Sequence, residues 1–276
     1  MRIRPSVLLS VCTALLIALV GCQREPATPA KPAATPSGPT TTASAPAPVV
    51  LKDVIEQDSR YIIGISYPLV ASKHPGLAAE LKRYADAARA ELMQAVAGLG
   101  DDKPPAPYDL SLAFSEVAVT PQLIAIAADG SSYTGGAHGA PLVARFVWLP
   151  QQNKRLTATE LVPDPRAWRE ISDYVREQLH AALSQRVDAD KLPPAERAAI
   201  VKDAGRMIDE GTGPEPANFE QFEPVLSPAG KLIGLRFVFP PYQVGPYADG
   251  VQTVEVPAAV LLPKIAPAYR GLFAGN

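Results

Sequence analysis

Three regimes of hydrophobic patterning follow one another along the chain. Val7 to Val20 is an uncharged apolar run preceded by Arg2 and Arg4, and it is too short to span a bilayer comfortably. From Gln23 to about Val50 the text QREPATPAKPAATPSGPTTTASAPAPVV is rich in Pro, Ala, Thr and Ser. It lacks the large apolar side chains that offset ordering entropy, so an unfolded, partly polyproline-like tether is predicted. At ~3.1 Å per residue its greatest reach is on the order of 85 Å. Beyond residue 50 the apolar positions recur with strand and helix periods.

The run Arg60 to Tyr67 (RYIIGISY) is β-branched and aromatic, which predicts a strand. Pro75 to Leu99 predicts a helix with Leu77, Leu81, Tyr84, Ala88, Leu92 and Val96 on one face and Gly98 and Gly100 at its end. Asp102 to Pro107 reads as a loop. Asp109–Thr120 and Gln122–Ala128 read as strands joined near Pro121, Asp129–Pro141 as a glycine-rich turn region, and Leu142–Leu149 as a further strand. In the second half, Asp164 to about Arg186 predicts a helix with Trp168, Ile171, Val175, Leu179 and Leu183 on one side, capped by Asp164 ahead of Pro165. Pro193 to about Ile208 predicts a second helix. Phe219–Leu226 and Lys231–Phe239 predict a strand pair turned at Pro228-Ala229-Gly230, with Ile233, Leu235, Phe237 and Phe239 sharing one face. A short strand at Gln252–Val256 and a closing helix at Pro257–Ile265 complete the pattern. The fold class expected is α+β, in two closely packed modules that each set antiparallel strands against one or two helices.

The apolar leader ends in Leu19-Val20-Gly21-Cys22, which resembles the lipobox of bacterial lipoproteins. The resemblance implies cleavage after Gly21, a diacylglyceryl thioether on Cys22 and acylation of the freed amine. A thiolate is the nucleophile that takes the lipid, and several acyl chains anchor far more firmly than one. An ordinary secretory peptide and an uncleaved anchor are the competing readings. The expected organisation is a signal peptide over 1–21, the tether over 22–50, an N-terminal module over 51–150 and a C-terminal module over 151–276. Gln23 after the cysteine, rather than aspartate, favours the outer membrane facing the periplasm by resemblance to Gram-negative sorting.

The chain has two cysteines, Cys12 in the leader and Cys22 at its end. The folded part therefore holds no disulfide, thiolate metal site or cysteine nucleophile. A net charge of −2 offers no basic field for nucleic acid. The three histidines, His74, His138 and His180, lack metal-ligand spacing, and no serine elbow occurs. No cofactor and no metal are expected.

Two segments stand out. In Ser132-Tyr133-Thr134-Gly135-Gly136-Ala137-His138-Gly139 the tandem glycines permit positive φ, and the exposed amides of such a turn can meet an anion or a carbonyl. His138 then adds a group that donates, accepts or titrates. In Phe237 to Tyr247 a strand runs into Pro240 and Pro241 and presents Tyr242 and Tyr247 on a proline-braced loop. Rigid tyrosines give a large contact area at low ordering cost. A plain hairpin turn, and tyrosines packed on the core at the end of an edge strand, are the alternative readings.

Together these segments resemble a known family. Tyr133-Thr134-Gly135-Gly136-Ala137-His138 matches its Y-x-G-G-A-H turn. Phe239-Pro240-Pro241-Tyr242-Gln243-Val244-Gly245-Pro246-Tyr247-Ala248-Asp249-Gly250, followed by Val254-Glu255-Val256-Pro257, matches its C-terminal pattern. This is the RsiV-like extracytoplasmic family, which pairs a domain shared with a peptidoglycan deacetylase and a C-terminal domain of uncharacterised function. In its anti-sigma-factor member this region binds lysozyme. The resemblance implies two packed α+β modules over residues 51–270. It points to Tyr133, Gly135, Gly136, His138, Pro241, Tyr242 and Tyr247 as binding residues. No sigma-binding segment, transmembrane signalling helix or deacetylase domain is expected here. The expected function is a non-catalytic envelope lipoprotein that binds a lysozyme-like muramidase or peptidoglycan. The alternatives are a glycan-modifying enzyme, with His138 as base and Asp129 or Asp249 as its partner, and a structural partner of another envelope protein.

Overall fold

The computed structural model describes residues 49–275. The predicted leader, Cys22 and most of the predicted tether lie outside the described residues. The first element is a strand that the sequence pattern did not reveal, Val54–Gln57 (β1), antiparallel to Tyr61–Ser66 (β2). Four residues with two polar members carry too little alternation to stand out. In β2, Ile63 and Ile65 point into the core while Ile62 and Ser66 face outward, as a period of two requires.

Pro75–Gly98 (α1) follows, with proline in its first turn and Leu77, Leu81, Ala85, Ala88, Leu92 and Val96 buried. Tyr84 is only partly buried and sets its edge against Phe114 and Phe146, with centroids 6.2 and 5.8 Å apart. The helix carries the chain back across the sheet to the end at which β2 began. Tyr108–Val119 (β3) accordingly pairs with β2 in parallel, Ile63 beside Leu110 and Ile65 beside Leu112. This corrects the expectation of a wholly antiparallel sheet: a helical crossover joins parallel neighbours, whereas hairpins join antiparallel ones. Ile124–Tyr133 (β4), Ala140–Leu149 (β5) and Lys154–Arg155 (β6) then add antiparallel strands, giving the order β1-β2-β3-β4-β5-β6. The turn region expected over 129–141 is shorter. Asp129 to Tyr133 continue β4, and Ala140 already belongs to β5.

In the second half, Thr157 and Glu160 form a capping box at the start of Ala158–Leu161 (α2). Asp164 accepts from the Arg166 amide and opens a single 3-10 turn that runs into Trp168–Ala189 (α3). Pro194–Gly211 (α4) follows. Phe222–Leu226 (β7), Leu232–Phe239 (β8) and Gln252–Pro257 (β9) make an antiparallel three-stranded sheet. Ala258–Leu261 (α5) and Pro267–Arg270 (α6) are short closing turns of helix. The expected face of β8 holds for Leu235, Phe237 and Phe239 but not for Ile233. The register slips opposite Val225 and Leu226, and the bulge turns Ile233 outward.

The large sheet is buried on both faces along β4 and β5. One face takes Ile124, Ile126, Phe146 and Trp148 against α1. The other takes Leu123, Ala125, Val147 and Leu149 into a core shared with Trp168, Ile171, Phe219 and Phe237 from the C-terminal elements. Trp168 stacks on Phe219 at 5.3 Å and donates its indole N–H to the Val162 carbonyl at 3.1 Å.

Tyr67 reports on the first of these cores. Its ring stacks on Phe114 at 5.0 Å, and burial, aided by the Asp86 and Asp53 carboxylates, pushes its hydroxyl up to about 12. A raised value in the fold means that stability is complete below about pH 10 and is lost as pH climbs toward 12. Burial raises the Tyr84 hydroxyl as well, so alkaline titration at the tyrosinate absorbance is expected to show late-titrating hydroxyls from both, the Tyr67 contribution being removed by Tyr67→Phe, with the thermal midpoint falling over that interval.

Candidate functional site

Two distant stretches of chain meet at the tip of the β4–β5 hairpin. The hairpin turn spans 134–139, with Gly135 at φ 102° and Gly136 at φ 95°, a region that suits glycine because other residues carry a Cβ. Tyr133 spans the turn, donating its hydroxyl to the Gly136 carbonyl at 3.2 Å. His138 stands exposed beside it.

The second stretch is the loop after β8. Gln243 donates its backbone N–H to the Pro240 carbonyl at 3.1 Å, and Tyr242 donates its own to Gly245 at 2.9 Å. The Gln243 side chain donates to the carbonyls of Gly211 and Asn218 at 3.0 and 2.9 Å. Arg186 donates to Asp249 at 2.7 Å, and Val244 is buried. The loop is therefore pinned to α3, to the end of α4 and to the segment before β7. Pinned in this way, Tyr242 adopts φ 73°, which a residue with a Cβ enters at a cost of ~1–2 kcal/mol. The residue stays 53% exposed.

The two stretches interlock through their rings. The Tyr242 hydroxyl lies 2.9 Å from His138 Nε2, and His138 Nδ1 lies 3.1 Å from the Gly139 carbonyl. A carbonyl only accepts, so in the neutral ring Nδ1 carries the proton and Nε2 accepts from the tyrosine. The imidazole stacks on Tyr247, with centroids 3.9 Å apart and planes at 14°, and Tyr247 lies 5.8 Å from Tyr242. All seven residues singled out from the sequence thus belong to one locus. Gly135, Gly136 and Tyr133 shape the turn, Pro241 enters the loop, and His138, Tyr242 and Tyr247 form an outward cluster.

The pairing of His138 with Asp129 or Asp249 is not formed. Asp129 accepts from Arg145 at 2.9 Å and Asp249 is held by Arg186, while both ring nitrogens of His138 already have partners. Among the described residues no group of three or more His, Asp or Glu side chains is placed to hold a metal ion, and no helix is long and apolar enough to cross a membrane.

The sequence reading missed a buried charge ladder that joins the two sheets behind the site. Arg145 on β5 faces away from α1 and is buried, as is Glu223 on β7. Arg145 Nε donates to Glu223 at 2.6 Å, and its backbone N–H donates to the Gln221 side chain at 2.7 Å. Arg236 on β8 then reaches Glu223 at 3.4 Å and Glu255 on β9 at 3.1 Å. The signal available was a single arginine inside the apolar run Pro141 to Leu149.

Gly211 sets how closely the loop can approach α4. A Cβ there would overlap the Gln243 carbonyl oxygen. Gly211→Ala is expected to cost ~1–3 kcal/mol and to displace the loop, which is read as a lower thermal midpoint together with a shift of the His138 ring resonances.

No curated protein matches the chain. Among solved structures it is similar to a DUF3298 family member from Bacteroides fragilis, with 15% identity and a TM-score of 0.51 over 82% of this chain and 97% of that one. This likeness supports the α+β fold. A DUF3298 family protein from Pseudomonas aeruginosa aligns with 17% identity and a TM-score of 0.48 over 82% of this chain and 94% of that one. Within the chain, residues 161–259, from the end of α2 to the start of α5, match the family described as a protein of unknown function (DUF3298).

Proposed function

We propose that the protein is a non-catalytic recognition module of the bacterial cell envelope, lipid-anchored through Cys22, probing for a lysozyme-type muramidase or for peptidoglycan. The observation that carries this reading is the outward ring cluster of Tyr242, His138 and Tyr247, assembled from two chain segments and fixed in place by the loop's hydrogen bonds. Rings held rigid before contact lose little freedom on binding, which is how aromatic anchors gain affinity. The strained φ of Tyr242 fits the same role, since strain persists where the surrounding structure over-determines a useful geometry. The RsiV-like resemblance points to lysozyme or the wall as the target. The lipobox and tether support an envelope location, and Gln23 after the cysteine favours the outer membrane, facing the periplasm.

A binding role agrees with the hydrogen bonding better than a hydrolytic one. A general base needs a free lone pair aimed at substrate, and Nε2 of His138 is engaged by the Tyr242 hydroxyl. The test is retention on the immobilised mature chain of lysozyme and, separately, of purified sacculi. Saturable retention of one is expected. Retention of neither overturns the proposal, and release of soluble muropeptides from sacculi, lost in His138→Ala, would replace it with the enzymatic reading.

A further inference from the structure

Arg155, in the edge strand β6, is a cation without a counter-ion. Its guanidinium lies over the Phe146 ring, 4.8 Å from the centroid. Nη2 donates to the Arg145 carbonyl at 2.8 Å. Nε and Nη1 make no protein hydrogen bond among the described residues and are not sealed from solvent. Every other arginine that is buried or half-buried among the described residues has a carboxylate partner: Arg60, Arg89, Arg145, Arg176 and Arg236. Arg155 is half-buried and has none.

The groups around it explain the gap without filling it. Burial holds its pKa below the usual guanidinium range, and Arg83 acts in the same direction. Glu80 and Glu220 favour the charged form only from a distance, and Glu80 is already paired with Arg83. A cation partly stripped of water and left without a counter-ion costs the fold free energy that one ring face and one carbonyl only partly offset. Two of its three nitrogens, Nε and Nη1, are left to be completed from outside the fold. Guanidinium forks match the planar geometry of a carboxylate. The field of Glu220 and Glu80, though neither touches Arg155, disfavours a dianion such as phosphate more than a monoanion.

We propose that Arg155, on its Phe146 shelf, is a binding site for a carboxylate supplied by a ligand. It is a second site, placed where β5 leaves Trp148, at the opposite end of that strand from the hairpin that carries His138. Its success or failure is therefore separate from that of the aromatic cluster.

The test is a titration of the full mature chain with sodium acetate at constant ionic strength, following the Arg155 Nε–H resonance. A saturable shift is expected, with inorganic phosphate binding more weakly. Arg155→Lys keeps the charge without the fork and is expected to weaken the effect about tenfold or more. Arg155→Met is expected to abolish it while unfolding at the same or a higher temperature in anion-free buffer. Three results overturn the proposal: no saturable shift, tighter binding of phosphate than of acetate, or an Arg155→Met chain less stable than the parent, since the cation would then serve the fold itself.

Discussion

Replacing Tyr242 with alanine is expected to weaken retention of the target by about 30- to 1000-fold, the ~2–4 kcal/mol typical of an aromatic anchor, without unfolding the protein. The residue is more than half exposed, so little core contact goes with it. The hydroxyl it offers to His138 Nε2 is replaced by water at an exposed site. A second substitution separates recognition from folding more sharply. Tyr242 sits at φ 73°, and Tyr242→Gly removes the ring and the backbone strain together. That variant is expected to melt at the same or a higher temperature and still fail to bind. Calorimetric titration against whichever target the parent chain retains, paired with thermal melts, reads both quantities. Full affinity in both variants would move the contact away from this loop. Collapse of both would make Tyr242 a structural residue.

The largest effect on stability is expected at Arg145. Arg145→Ala leaves Glu223 buried beside Arg236, which reaches it only at 3.4 Å, and strips the Gln221-to-β5 junction of its neighbour. Breaking a buried pair from one side costs ~3–5 kcal/mol when the remaining charge is left alone, and the Arg236 contact that Glu223 keeps places the expected loss at the lower end, about 3 kcal/mol. The pair as a whole is a different matter. The double variant Arg145→Met with Glu223→Met buries no charge and is expected to recover most of the loss. Urea unfolding of the four chains gives the coupling directly. The single variants are also expected to loosen the aromatic cluster, since Arg145 ties the strand leading from the His138 hairpin to the sheet that ends in the Tyr242 loop. Broadened His138 and Tyr247 resonances would register that loosening.

The long elements were legible because their periodicity is strong. α1 and α3 carry apolar residues every three to four positions, and β8 is a run of large apolar and aromatic residues interrupted only by Gly234 and Arg236. The elements that escaped notice are short. β1 is four residues, α2 is four, and β6 is two, and segments of that size form because a neighbour supplies hydrogen bonds, not because their own pattern demands it. The parallel pairing of β2 and β3 is likewise a consequence of the crossover through α1, which no local window contains. Ile233 was assigned to the buried face because alternation assumes an unbroken register, and a bulge breaks it.

The site divides along the same line. The twin-glycine turn, the prolines and the tyrosines are written in the sequence as residue types with restricted or permissive backbones, and so is the absence of any cysteine from the folded part. What the chain could not state is that His138 and Tyr242, separated by more than a hundred positions, come within a hydrogen bond. That contact depends on the β4–β5 hairpin and the small sheet being brought together by a shared core and by Arg145 and Glu223. Local sequence sets local dihedral preference and burial tendency. Which exposed rings share a surface, which carboxylate meets which arginine, and which arginine is left with none are set by long-range packing, where one side chain's partner is whatever another segment places beside it.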